Sequence, residues 1–167
     1  MIEAAAPPAT SPRAYIRRET AISMGINAAL SLAFYAAVFG RLDPVPVWGL
    51  GHWVFDFLPQ GFMIGLMSTL VPGAVTARRL SRGEVVRLGR GSRLPRGLFK
   101  RAVVIALAGS AGSVAVMAAI ALISGLQILP MAVAATLKVG WGALLALVVT
   151  PIGLRAALAP PAGGLAG

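Results

Sequence analysis

Four polar residues stand inside long apolar stretches of this chain: His52, Asp56 and Gln60 in one stretch, Lys138 in another. Such groups are costly in hydrocarbon, so each needs a partner or a task. His52, Asp56 and Gln60 recur at i, i+4 and i+8, which puts them on one face of a helical segment. With Pro72 and Pro151 taken as inner ends, Asp56 lies about 24 Å and Lys138 about 20 Å above them at 1.5 Å per residue. The spacing predicts an Asp56–Lys138 ion pair in the outer third of a bilayer, with Gln60 level with it. Pro59, in the same turn, is expected to bend the helix and free the carbonyl of Phe55. Three roles are open to the cluster. Lys138 snorkels up to interfacial groups, or the pair is a structural latch, or the site handles a substrate or a proton.

Other chemistries find little material. One histidine beside one aspartate cannot build a zinc site, which takes at least three protein ligands. A serine–histidine dyad would need Ser110 or Ser113 near His52. Counted along the helices, Ser113 lies about 17 Å up and His52 about 30 Å. Phosphate-binding and dinucleotide fingerprints are absent, as are paired carboxylates and cysteines. The expectation is a non-enzyme without metal or cofactor.

The net charge of +10 is the next candidate signal. Nine basic residues crowd one segment: Arg78, Arg79, Arg82, Arg87, Arg90, Arg93, Arg96, Lys100 and Arg101. Gly89, Gly91, Pro95 and Gly97 interrupt this run, so an extended or turning strap is predicted rather than a helix. Stacking aromatics are missing, which argues against nucleic acid. A row of cations beside an anionic leaflet is attracted by about 1 kcal/mol each. Anionic lipid, or an acidic partner, is the expected contact.

The elements that must position these residues follow from composition. Of 167 residues, 57% are apolar and only 12% charged, and the mean hydropathy is +0.83. A soluble domain carries roughly twice that charge. Four continuous apolar runs, from about Thr20 to Gly40, His52 to Val71, Ala102 to Ser124 and Pro130 to Leu154, each suffice to cross a hydrocarbon core of about 30 Å. Lipid leaves helices or closed barrels, and continuous runs favour helices. The fold class is therefore an all-α membrane protein of four transmembrane helices in two tandem hairpins. Its parts are a tail at 1–19, a first hairpin at 20–73, the basic loop at 74–101, a second hairpin at 102–154 and a tail at 155–167. The first dozen residues and the Pro160–Gly167 end are expected to be disordered. The first run exceeds a cleavable signal core and reads as an uncleaved anchor. Arg13, Arg17 and Arg18, the basic loop and Arg155 all fall on one side, so both termini are expected in the cytoplasm. The Ala-, Gly- and Arg-rich composition fits a bacterial inner membrane.

Two patterns bear on assembly. An ungapped shift of 79 residues pairs Ser31 with Ser110, Gly61 with Gly140 and Pro72 with Pro151, a weak parallel repeat. Small residues recur at spacings of four: Gly25, Ala29 and Ala33; Gly61, Gly65 and, further on, Gly73; Ala111 and Ala115; then Gly142 and Ala146. Such ladders let helices approach closely, within the chain or between copies. Trp48 and Trp53 read as an outer interfacial belt, and Trp141 as mid-bilayer packing. The expected function is that of an accessory or scaffold subunit, in a homo-oligomer or a complex with other subunits. A small oligomeric permease using Asp56, Gln60 and Lys138 is the alternative.

Overall fold

The computed structural model describes residues 10–160. Most of both expected disordered ends, residues 1–9 and 161–167, lies outside the described residues. The chain folds into four helices, α1 (Pro12–Phe39), α2 (Phe57–Ser81), α3 (Leu98–Ile123) and α4 (Met131–Ala157). All four are long and apolar enough to cross a membrane. Two short strands, β1 (Val45–Pro46) and β2 (Ile128–Leu129), pair antiparallel and tie the α1–α2 and α3–α4 connections together.

The helix ends differ from the sequence expectation for local reasons. α1 begins at Pro12, because Ser11 caps it by accepting from the Ala14 amide at 3.4 Å and proline suits a first turn. Arg13, Arg17 and Arg18 therefore stand on α1. α2 begins only at Phe57, since Gly49 and Gly51 take positive φ and fold the preceding residues into turns. Pro72 and Pro151 are not helix ends: they lie inside α2 and α4, which run on to Ser81 and Ala157. A backbone without water to bond to keeps its helix through one lost hydrogen bond.

Helices adjacent in the chain are not the ones that pack. α1 lies on α4, α2 lies on α3, and α2 and α4 meet in the centre, while α1–α2 and α3–α4 touch little. The two halves thus interlock instead of standing as separate hairpins. Their buried positions coincide at a particular register. Thr20, Ser23, Asn27, Ser31, Tyr35 and Phe39 of α1 match buried Ala102, Ile105, Gly109, Ser113, Met117 and Ala121 of α3, 82 residues on. Gly61, Gly65, Thr69 and Gly73 of α2 match buried Gly142, Ala146, Thr150 and Leu154 of α4, 81 residues on. At the ungapped 79-residue shift Gly61 would meet Gly140, which is exposed.

Glycine sets the close approaches. A Cβ on Gly61 would lie 2.9 Å from Ser110 Cα, and one on Gly65 would lie 2.7 Å from Ala106 Cα. Gly142 abuts Ser31, and Gly73 lies against Leu98. The other small-residue ladders turn the opposite way: Gly25, Ala29 and Ala33 on α1, and Ala111 and Ala115 on α3, are exposed. On α1 the inward stripe is polar. Serine and asparagine that find hydrogen-bond partners inside cost less there than facing lipid, whereas alanine loses little outside.

Each end of the bundle is closed. At the end with few charges, Val45, Val47, Trp53, Val54 and Phe57 pack with Phe39 and Leu129. Trp53 is wholly buried and donates to Ala134 O at 3.2 Å, and Trp48 donates to Leu126 O at 2.8 Å. Trp53 is thus part of the cap and not of an exposed belt, while Trp48 stays half-buried at its edge. At the basic end, Val85 and Leu88 of the α2–α3 connection pack on Tyr15, Leu154 and Leu158. The Leu88 amide bonds Leu158 O at 2.9 Å, and the Thr10 amide bonds Glu84 O at 2.9 Å. The strap runs across the helix ends as an extended segment.

Gly65→Val should lower stability by roughly 1–3 kcal/mol, the usual cost of overpacking. Gly25→Val, with open space beside it, should leave stability nearly unchanged. Thermal unfolding of the two variants in detergent checks the contrast.

Candidate functional site

The first residues of α2 and the second turn of α4 bring the polar cluster together near the less charged end. Lys138 Nζ donates to Asp56 Oδ2 and, at 3.1 Å, to Gln60 Oε1. Gln60 turns its amide nitrogen the other way, donating to Lys138 O at 3.1 Å and to Ser31 Oγ at 3.0 Å. The ammonium also faces the Phe57 ring at 4.4 Å and the Phe39 ring at 5.6 Å. Lys138 is only 2% exposed, while the Asp56 side chain keeps 24%. Aromatic faces and oxygen ligands replace the water that the ammonium gives up. Lys138 does not snorkel to a surface. It is locked among three helices.

Two expectations for this region change. His52 precedes α2, and its ring Nδ1 is held by the Trp48 carbonyl, so it does not join the cluster. Pro59 falls in the first turn of α2, where its missing N–H costs nothing. The Phe55 carbonyl is not free, since it accepts the Leu58 amide at 3.0 Å. The candidate serines are likewise engaged elsewhere. Ser110 donates to Leu58 O at 2.8 Å and Ser113 to Gly109 O at 2.6 Å.

A second polar group lies deeper, and the sequence reading does not anticipate it. Asn27 donates to Ser23 O at 2.8 Å and to Ser68 Oγ at 3.0 Å. Ser23 donates to Ser68 at 3.2 Å, and Thr150 donates to Ser23 at 2.8 Å. This network joins α1, α2 and α4. Its signal was available in Ser23, Asn27 and Ser31, a polar stripe of period four on α1.

Beside the ion pair, a cavity of about 190 Å³ lies between α1 and α2, the two helices that part. Asp56, Gln60 and Lys138 touch one side of it, and Leu30, Phe34 and Met63 supply apolar walls. At the position in α4 that matches Gln60 stands Trp141, which donates to Ser113 at 2.9 Å as Gln60 donates to Ser31. The two halves thus share this hydrogen bond. The cavity and the Asp56–Lys138 pair lie beside the Gln60–Ser31 bond.

The basic residues divide into three groups. Arg78 and Arg79 end α2; Arg82, Arg87, Arg90, Arg93 and Arg96 lie on the connection; Lys100 and Arg101 begin α3. Arg79 pairs with Glu19 at 3.7 Å and lies over the Tyr15 ring at 5.3 Å, and Arg82 pairs with Glu84 at 3.7 Å. Arg101 differs from the rest of the expected strap in being buried, for it is 4% exposed. No protein-family model, curated protein or solved structure matches this chain.

The pair predicts an ordered set of stabilities. Asp56→Ala strands the more deeply buried charge and should cost about 3–5 kcal/mol. Lys138→Met leaves a carboxylate with some access to water and should cost less, about 1–3 kcal/mol. The double variant Asp56→Leu/Lys138→Met should recover most of the loss. Unfolding midpoints of the three proteins in detergent test both the order and the recovery. Additive losses would show that the two charges act independently.

Proposed function

We propose that this chain is a non-catalytic, multi-pass protein of a bacterial inner membrane that serves as an accessory or scaffold subunit. The observation that carries the reading is the state of the polar cluster. Asp56, Lys138, Gln60 and Ser31 bond to one another, and the adjoining cavity has apolar walls. A transport site needs polar groups with bonding capacity turned towards a water path. These are spent on holding helices. The outward ladders add support, because Ala29 and Ala33 of α1 match Ala111 and Ala115 of α3 and none is used inside the bundle. Close-packing surfaces of that kind suit neighbouring helices.

The matched burial registers and the Gln60–Ser31 and Trp141–Ser113 bonds favour a duplicated two-helix unit. Both copies would enter the membrane from the same side, related by an axis along its normal. Orientation follows from the basic end, whose strap and α3 start belong in the cytoplasm with both termini, beside anionic lipid. A second reading, a small permease, draws on the contact of Asp56, Gln60 and Lys138 with the cavity.

The chain has no cysteine, so introduced thiols report cleanly. Met63→Cys, in the cavity wall, should resist charged thiol reagents and react with a lipid-soluble one. Arg93→Cys should be protected from impermeant reagents in intact cells. Native mass spectrometry of gently extracted protein should show it bound to a different subunit at fixed stoichiometry. Rapid labelling of Met63→Cys by a charged reagent, with only self-assembly in the mass spectrum, would replace the scaffold by the permease.

A further inference from the structure

The basic end holds a second, partly open cavity, of about 600 Å³, lined by the ends of α2 and α4, the strap and the start of α3. That volume falls within the range of small-molecule sites. Arg87, Arg96 and Arg101 line it, and among the described residues no acid does. Arg101 is the unusual member. It is 4% exposed, its Nε is buried, and among the described residues its guanidinium has neither a hydrogen-bond partner nor an ion pair. Gly73 of α2 lies beside it, at an ordinary contact distance: a Cβ there would stand 3.6 Å from Nη2.

The described acids are committed elsewhere. Glu19 pairs with Arg79, Glu84 with Arg82 and Asp56 with Lys138, and Asp43 accepts from the Met131 amide at 3.2 Å. The 82-residue register sharpens the contrast, because Arg101 stands where α1 has Glu19.

Backbone geometry points the same way. α1 is capped by Ser11, and the first amide of α4 is met by Asp43. α3 begins at Leu98 and, like α2, has no side-chain cap; none of the four helices has an acid in its first turn. The first turns of α3 carry Lys100 and Arg101. Cations at the positive end of a helix, beside unpaired amides, are destabilising unless an anion joins them. A buried arginine, two further arginines on the same cavity and an uncapped helix start all lack one thing, a compact anion with several oxygens. Planar guanidinium forks match phosphate better than they match chloride.

We propose that this cavity binds a phosphate group, presented by an anionic lipid or by a soluble phosphate compound, with Arg101 at its centre. The site holds whether or not the scaffold reading does. Arg87 is already oriented, donating to Ala159 O at 3.2 Å through one nitrogen and leaving others for a ligand. Arg90 and Arg93 are exposed on the same strap but do not line the cavity, which makes them internal controls.

The test uses the full chain in nanodiscs of phosphatidylcholine and reads the unfolding midpoint. Inorganic phosphate is titrated against chloride at matched ionic strength, and a parallel series replaces phosphatidylcholine by phosphatidylglycerol. Saturating ligand should raise the midpoint by roughly 5–10 °C. A response to phosphate in phosphatidylcholine discs identifies a soluble ligand; a response to phosphatidylglycerol alone identifies a headgroup. Arg101→Met should keep or raise the basal midpoint, since it removes an unpaired buried charge, and should lose the response. Should Arg101→Met fail to fold, Arg96→Ala decides, with an expected tenfold rise in the half-saturating concentration. Arg90→Ala/Arg93→Ala should respond as the parent does. Equal responses to chloride and phosphate would overturn the site, as would absence of any response. An Arg90→Ala/Arg93→Ala protein as impaired as Arg96→Ala would reduce it to diffuse charge.

Discussion

Burying an ammonium group between helices is the constraint on which the less charged half of this bundle depends. Lys138 cannot reach water, so its charge must be met by Asp56, by Gln60 Oε1 and by the Phe57 and Phe39 rings. Those partners come from α1, α2 and the residue preceding α2. Meeting the demand of one side chain therefore fixes the rotation of α4 and the start of α2. Gln60 extends the constraint to α1 by bonding Ser31. Phe57, which faces the ammonium, also packs with Trp53 and Val54 in the apolar cap, so the pair and the cap share a residue.

Below that level the same logic runs on neutral groups. Ser23, Asn27, Ser68 and Thr150 satisfy one another where no water can. Hydrophobic burial cannot hold helices together in lipid, whose chains are as apolar as the core. Specificity must come from close approach and from polar groups with a single set of partners. Gly61, Gly65 and Gly142 supply the first, and the serine and asparagine stripe supplies the second. Gly142 meets the stripe between α1 and α4, whereas Gly61 and Gly65 bring α2 onto α3.

Much of this was legible in the residues. Run lengths and charge clusters give four helices and their basic end, and helix counting from two prolines places Asp56 opposite Lys138. That estimate succeeds although Pro72 and Pro151 lie inside their helices, because the error is similar in both halves and largely cancels. His52 escapes because Gly49 and Gly51 break the helix before it, a backbone event that side-chain spacing does not record. Alanine obscures the rest. In a chain this rich in it, ladders at four-residue spacing arise on every face. Ser23, Asn27 and Ser31 were the better guide to α1, since a polar stripe inside an apolar helix has to find partners.

The two halves also differ at particular matched positions, and two of these differences fall at the two cavities described. Near the less charged end, Gln60 and Trp141 occupy matched places and make matched bonds to serine. A flexible amide leaves room between α1 and α2 and can ligate an ammonium. An indole fills that room and offers no acceptor oxygen. Near the basic end, Glu19 and Arg101 occupy matched places with opposite charge. Glu19 is balanced by Arg79 within the fold, and Arg101 is balanced by nothing among the described residues. Packing alone would not require either difference, because both halves bury their helices at the same register. A protein only selected to stand in a membrane would have no reason to keep an uncompensated guanidinium buried when methionine would fill the space at lower cost. The asymmetry is thus where stability has been given up. Of its two instances, the ion pair is repaid inside the molecule, and the arginine is repaid only by something that binds.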